Sequence, residues 1–128
     1  MQTRQFIVDV PGVPPSPSPI SNAVVVANTC WISGQLAVYD DGYRPGTARE
    51  EAARAFDLVF RIAAQAGFGR EDIVYVDIAF ADLDDLKEVN VLYGELFAAR
   101  PARTVYQAAR LPFGAKVKVQ AIAAREAP

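Results

Sequence analysis

Arg103 is the residue of this 128-residue chain whose type and position most clearly suggest chemistry. It stands two residues after Pro101, at the junction between a polar-faced helical segment and an apolar strand segment. Its planar guanidinium suits a carboxylate or a phosphate, and proline stiffens the approach because it fixes its own φ. The alternative is an arginine that pairs with a nearby Asp or Glu. Spacing alone favours that alternative, since surface ion pairs are common and weak.

The residue types that are absent or rare exclude several other kinds of site. The chain has 0 His and 1 Cys, so one copy cannot build a zinc site from these ligands, and no metal is expected. The net charge of −2 argues against a basic surface for a nucleic-acid partner. No apolar run approaches the length of a membrane span or forms a secretory segment. These features predict one cytoplasmic domain over residues 1–128, with Cys30 buried rather than reactive.

Hydrophobic periodicity predicts the elements that would position Arg103. Thr47 with Glu50 three residues later is a capping-box pattern that predicts the start of the first helix, and Gly67 predicts its end. Five prolines within residues 11–19 predict an extended surface segment. The predicted helices cover residues 47–66 and 82–97, and the predicted strands cover residues 5–10, 23–26, 29–33, 72–80, 103–108 and 116–124.

Three local features of these strands bear on a site. Asn28, in the turn between the second and third strands, tolerates the positive φ that a tight hairpin needs. Gly34 permits a bulge or a close approach of a ligand to backbone N–H groups. Gln120 lies on the polar side of the alternating last strand, and it would need a hydrogen-bond partner if that strand is buried.

The predicted element order is β, ββ, α, β, α, ββ. Two helices can cover only one face of a largely open sheet, and a monomer would expose the other face. We therefore expect an oligomer that buries the second face.

Several short motifs occur in an order that resembles the Rid (reactive intermediate deaminase) family, also called the YjgF or L-PSP group. The resemblance extends from about Pro19 to Ala124, and its most specific part is Pro101-Ala102-Arg103 followed by Leu111-Pro112. The other motifs are Ser33-Gly34-Gln35, Asn90-x-x-Tyr93-x-x-x-Phe97 and Val117-x-Val119-x-Ala121-Ile122-Ala123.

The resemblance implies an α+β fold like that of the Bacillus-type chorismate mutase, with a mixed sheet and two helices on one face. It implies a homotrimer with a central β-barrel and ligand clefts between subunits. It also implies hydrolysis of 2-imino or enamine acids to 2-keto acids and ammonia, with no cofactor. Arg103 matches the arginine that binds the substrate carboxylate, and Gly34 matches a backbone donor in the cleft. Ser33 matches a wall residue, and Asn90 matches a polar residue near the cleft.

The sequence departs from the family pattern at three cleft positions. The glutamate that orients the attacking water is matched to Gln120, whose amide can hold a water but cannot act as its base. The tyrosine of the Gly-Pro-Tyr-Ser pattern is matched to Ile20, and the cysteine two residues after the arginine is matched to Val105.

These observations leave four functions open. The chain could be an imine deaminase in which Arg103 and Gln120 act on the substrate, or it could bind a small imino or keto acid without turnover. Ribonuclease or translation-inhibitor activity, described for some relatives, is a minor alternative because clustered Lys or Arg is missing. In the fourth interpretation Arg103 only pins a trimer through an ion pair between subunits.

Overall fold

A mixed six-stranded sheet carries both helices on one face in the computed structural model, which describes residues 3–126. In chain order the elements are β1 (Gln5–Ile7), β2 (Ala23–Val26), β3 (Thr29–Gln35), β4 (Val38–Tyr39), β5 (Gly42–Tyr43), α1 (Ala48–Gln65), β6 (Ile73–Phe80), α2 (Leu86–Leu96), β7 (Ala102–Gln107) and β8 (Val117–Ala124). The strand order across the sheet is β1-β2-β3-β8-β6-β7, and β4 pairs with β5 separately. In the sheet β6 and β7 run parallel, whereas the other neighbours run antiparallel. The predicted α+β class is confirmed.

The helix boundaries follow the capping signals in the sequence. The Thr47 side chain accepts a hydrogen bond from the Glu50 backbone, and the Glu50 side chain accepts one from the Thr47 backbone. Gly67 has a positive φ of 88°, and this left-handed residue ends α1 just after its C-terminal cap. Asp82 caps a short 3-10 turn that leads directly into α2. Both predicted helices are present, although α2 begins at Leu86 rather than at residue 82 because the first turn is a 3-10 helix over Leu83–Asp85.

The core lies between the helices and one face of the sheet. α1 packs on β3 and β8, and α2 packs beside α1. Alternate residues of β8 (Val117, Val119, Ala121 and Ala123) are buried on this face. Fully burying an aliphatic or aromatic side chain contributes about 1.5–3 kcal/mol, so this layer is the main source of stability.

Two local predictions are wrong. The first strand, predicted over residues 5–10, ends at Ile7, because Asn22 bonds to the carbonyls of Ile7 and Val8 and the chain then turns. In the hairpin between β2 and β3, the positive φ belongs to Ala27 (φ 52°) rather than to Asn28. Pairing of Val26 with Thr29 fixes a two-residue turn, and its geometry overrides the preference of asparagine for such angles.

Glu51 is a buried carboxylate that ties three segments together. It is only 1% exposed, and it accepts hydrogen bonds from the Tyr43 hydroxyl and the Gly46 and Lys116 backbone N–H groups. The Lys116 ammonium lies 3.5 Å from the same carboxylate. The interaction joins the start of α1 to the residue that precedes β8, and it thereby fixes the entry into the last strand.

Most of the second face of the sheet is not covered by the chain, although Leu111 and Ala115 pack over Ala79 at one end of it. Trp31 lies between Val24 and Ile122 on neighbouring strands, and 52% of its surface is exposed. Phe6 and Tyr106 are 62% and 40% exposed on the same face. The expectation of an uncovered, partly apolar sheet face is therefore confirmed for the part of the face that carries Phe6, Trp31 and Tyr106. No helix in the described part of the chain combines the length and hydropathy that a membrane span needs.

Candidate functional site

Arg103 lies on the edge strand β7 with its side chain on the helix-covered face. Its register partner is Val76, whose side chain belongs to the core on that face. The Arg103 guanidinium donates a hydrogen bond of 2.8 Å from Nη1 to Oδ1 of Asn90. Its Cζ lies 4.6 Å from the ring centroid of Tyr93. Two residues of α2 thus orient the arginine.

The local sequence explains how these three residues meet. Asn90 and Tyr93 are three residues apart and therefore share one side of α2. The centroid of the Tyr93 ring lies 4.8 Å from that of Phe97 and 5.9 Å from that of Phe56, so the ring is fixed in the core. After α2 the chain passes Pro101 and enters β7 parallel to β6, which brings Arg103 alongside the helix.

An open cavity of about 390 Å³ lies beside Arg103. Its lining contains two arginines and no acidic residue: Asn90, Tyr93, Gly94, Arg100, Pro101 and Arg103. Within residues 3–126 Arg103 makes no ion pair, so the pairing with a nearby acid that spacing favoured does not occur there. Most of its donors therefore remain available to an anion in the cavity.

The hydroxyl of Tyr93 is buried and has no hydrogen-bond partner among the described residues. Burial raises the pKa of the Tyr93 phenol above its ordinary value, and the nearby Arg103 charge offsets part of that rise. Tyr93 is therefore neutral at neutral pH. Its ring packs against the guanidinium of Arg103 but does not form an ion pair with it.

A second cavity, of about 250 Å³, lies between the proline-rich segment and the ends of β3 and β8. Ile20, Gly34, Phe113 and Lys118 contribute to its wall. Gly34 reaches it because β3 contains a bulge, in which Ile32 pairs with Ala121 but Gln35 pairs with Val119. A bulge, one of the two features that Gly34 permits, is therefore present between Ile32 and Gln35.

Lys118 is not among the site residues predicted from the sequence. It lies two residues before Gln120 on β8, and both side chains therefore point to the same face of the sheet. A Cβ placed on Gly34 would lie 3.0 Å from Cδ of Lys118, so the lysine stem packs directly over the glycine. Gln120 is exposed on the open face opposite Asp77, and it lines neither of the two cavities described here. Its matched role as the water-orienting residue stays a prediction. The full span of β8, Val117–Ala124, contains no Asp or Glu.

Ser33 and Val105, the remaining predicted site residues, make contacts that support the fold. The Ser33 hydroxyl donates to the carbonyl of Ser21 at 2.7 Å, and Ser33 does not line either cavity. Val105 is half-buried and packs against the core.

Asp77 has a buried Oδ1 without a hydrogen-bond partner in the described residues. No group of three or more His, Cys, Asp or Glu within residues 3–126 is arranged to bind a metal ion.

One chain therefore divides the predicted site into two parts. Arg103 and Asn90 lie together on the helix-covered face of β7. Gly34 and Ile20 lie together with Lys118, whose position on β8 directs its side chain to the opposite face. Strand β6 separates β7 from β8, so a small ligand cannot contact both parts within a single copy.

Comparisons with known proteins assign the chain to a family. The sequence model described as Endoribonuclease L-PSP matches residues 13–125. The chain belongs to the L-PSP family. This is the group also called YjgF or Rid, so the resemblance found in the sequence is confirmed.

Relatives in this family include proteins named as deaminases. The 2-iminobutanoate/2-iminopropanoate deaminase of Bos taurus is 36% identical over 120 residues, which cover 91% of this chain and 88% of the bovine chain. The human protein of the same name is 32% identical over 120 residues, covering 91% and 88%.

Solved L-PSP structures share the fold. The YjgF gene product of E. coli aligns with a TM-score of 0.89 and 31% identity, over 95% of this chain and 100% of that chain. E. coli TdcF, solved with bound serine, aligns with a TM-score of 0.89 and 28% identity, over 95% and 100%.

Proposed function

We propose that this L-PSP protein binds a small 2-imino or 2-keto acid through Arg103 and hydrolyses the imino form to a 2-keto acid and ammonia. One observation carries the proposal: Arg103 is oriented by Asn90 and Tyr93 beside an open cavity that no acidic residue lines. A guanidinium in that setting retains parallel donors for a carboxylate. The deaminase names of the bovine and human relatives support the reaction class.

The reaction needs little chemistry from the protein. A water oxygen adds to the electrophilic imine carbon while one water proton moves to the nitrogen, which gives a carbinolamine. The second proton then passes from the hydroxyl to the nitrogen as the C–N bond breaks, which releases ammonia and leaves a keto group. Positioning the carboxylate on Arg103 lowers the barrier by orienting the substrate. No described side chain is assigned as the base, and a modest rate is therefore expected. A cytoplasmic location suits this role.

The proposed assembly is a homotrimer with a central β-barrel, as the family resemblance implies. The uncovered sheet face supports it, because Phe6, Trp31 and Tyr106 would otherwise remain exposed. The division of the site supports it too, since a second copy could bring the cavity of Lys118 to that of Arg103. Light scattering should give three times the chain mass of 13.9 kDa, and a monomer would contradict the assembly.

The activity is tested with a pyridoxal-phosphate dehydratase that releases 2-aminoacrylate. The purified protein should speed the formation of pyruvate beyond the rate in buffer, and Arg103→Gln should abolish the gain. Arg110→Gln is the matched control, because Arg110 is exposed and lies outside the Arg103 cavity. Equal rates with and without the protein would reject hydrolysis.

A second candidate function is binding without turnover, and the absence of any carboxylate on β8 favours it. A glutamine amide or a lysine ammonium beside the ligand cannot accept a proton from water as a carboxylate does. Binding of 2-oxobutanoate that depends on Arg103, without any acceleration of imine hydrolysis, would identify this function. Arg103 occupied by an Asp or Glu of another copy would instead identify a purely structural role.

Ribonuclease activity is a further alternative that the description Endoribonuclease L-PSP raises. The net charge of −2 and the absence of histidine in the chain argue against it. A single-stranded RNA oligonucleotide should be neither bound at low salt nor cleaved.

A further inference from the structure

The cavity beside Arg103 has a second arginine that the proposed function does not use. Arg100 lines the same cavity, and none of the six lining residues is acidic. The whole chain carries a net charge of −2, so this local excess of positive charge is not a property of the general surface. Such a concentration of guanidinium groups attracts anions with more than one negative charge.

Arg100 differs from most other arginines of the described chain in having no partner. Within residues 3–126 it makes no ion pair, no side-chain hydrogen bond and no contact over an aromatic ring. Seven other arginines make at least one of these contacts: Arg44, Arg49, Arg54, Arg61, Arg70, Arg103 and Arg125. The structure thus leaves the Arg100 charge free to meet a ligand.

The backbone on both sides of Arg100 is fixed, although its side chain is exposed. Phe97 is buried and anchors the end of α2 through contacts with Phe56, Phe60 and Tyr93. Pro101 follows Arg100 directly, and a residue before proline is restricted to extended conformations. The side chain therefore starts from a defined point at the rim of the cavity.

From this arrangement we infer that the ligand of the Arg103 cavity is a dianion. Its carboxylate binds Arg103, and its second anionic group binds Arg100. The inference rests on the proposed function and narrows its substrate class to 2-keto or 2-imino acids that carry a second carboxylate or a phosphate. Arg100 is a specificity-determining residue in this account, and it takes no part in the hydrolysis.

Calorimetry with paired ligands tests the inference. The compounds 2-oxopentanoate and 2-oxoglutarate have the same carbon chain and differ by one terminal carboxylate, and phosphoglycolate presents a phosphate instead. The wild-type protein should bind 2-oxoglutarate about tenfold more tightly than 2-oxopentanoate. Arg100→Gln should remove that preference by weakening the binding of 2-oxoglutarate more than the binding of 2-oxopentanoate, whereas the control Arg110→Gln should keep the preference.

The outcomes separate this inference from the proposed function. The dianion inference is overturned if both keto acids bind with equal affinity in an Arg103-dependent way. It is also overturned if the Arg100 and Arg110 variants have equal effects. Either result leaves the proposed function standing. No Arg103-dependent binding of any ligand overturns both. An Arg100-dependent preference for phosphoglycolate over 2-oxoglutarate supports the dianion and identifies phosphate as its second group. Thermal unfolding should be the same for both variants, because neither arginine makes an ion pair or a side-chain hydrogen bond with any residue from 3 to 126.

Discussion

The guanidinium of Arg103 lies over the ring of Tyr93, with Cζ 4.6 Å from the ring centroid. The ring is itself fixed by Phe56 and Phe97, and Asn90 accepts a hydrogen bond from the same guanidinium. A cation over an aromatic ring contributes about 0.5–2 kcal/mol, depending on exposure. Arg103 is therefore oriented before any ligand arrives, and less entropy is lost on binding.

Tyr93→Phe should stabilise the protein. The substitution keeps the ring under Arg103 and removes a buried hydroxyl that has no partner among residues 3–126. We expect the free energy of unfolding in urea to rise by about 1 kcal/mol. Tyr93→Leu, which removes the ring, should instead weaken the Arg103-dependent binding of 2-oxobutanoate. A loss of stability in Tyr93→Phe would show that the hydroxyl is bonded.

A carboxylate at position 118 should increase imine hydrolysis more than one at position 120. The stem of Lys118 packs over Gly34 at the wall of a cavity, whereas Gln120 lines neither cavity of the site. Lys118→Glu should raise the rate of keto-acid formation about a hundredfold if the missing base limits the reaction. Gln120→Glu is the matched comparison. A gain in Gln120→Glu alone would support the match of position 120 to the family glutamate.

The long elements and the common side of Asn90 and Tyr93 on α2 could be predicted from the sequence because local signals specify them. The capping box at Thr47 and Glu50 and the spacing of Asn90 and Tyr93 each act over a few residues. The place of Lys118 could not be predicted in this way. It depends on a bulge in β3, which pairs with β8. The register between two strands so distant in sequence cannot be predicted from local sequence patterns.

The division of the site between two faces of the sheet also escapes local patterns. The alternation along β7 shows which residues share a face with Arg103. Whether that face is the one that α2 covers depends on the pairing of β7 with β6. The hairpin angle at Ala27 is a smaller example, since the pairing of β2 with β3 imposes it on a residue without that preference.

Cys30 should make stability fall at high pH. Burial raises the pKa of the Cys30 thiol from an ordinary value of 9.0 to about 11, and the Arg125 charge offsets part of that rise. A raised folded-state pKa gives stability that is complete below the unfolded value and is lost as pH rises towards 11. Between pH 8 and pH 11 the wild type should lose about 2 kcal/mol more than Cys30→Ala. Parallel pH profiles of the two proteins would refute this.

Glu51→Gln should destabilise the fold. The buried carboxylate accepts from Tyr43, Gly46 and Lys116, and an amide would present two donors to a site that already supplies donors. We expect a loss of about 2–3 kcal/mol in the free energy of unfolding. Glu88→Gln, at an exposed position of α2, is the control and should change little. A matching small loss in Glu51→Gln would show that the interaction is not needed.

Titration calorimetry of 2-oxobutanoate into the wild type, Arg103→Gln and Arg110→Gln tests the central claim most directly. Charge-assisted hydrogen bonds from a guanidinium to a carboxylate are worth about 1.5–3 kcal/mol, which corresponds to about a tenfold to hundredfold change in affinity. The account predicts that loss in Arg103→Gln and wild-type affinity in Arg110→Gln. Unchanged affinity in Arg103→Gln would contradict it.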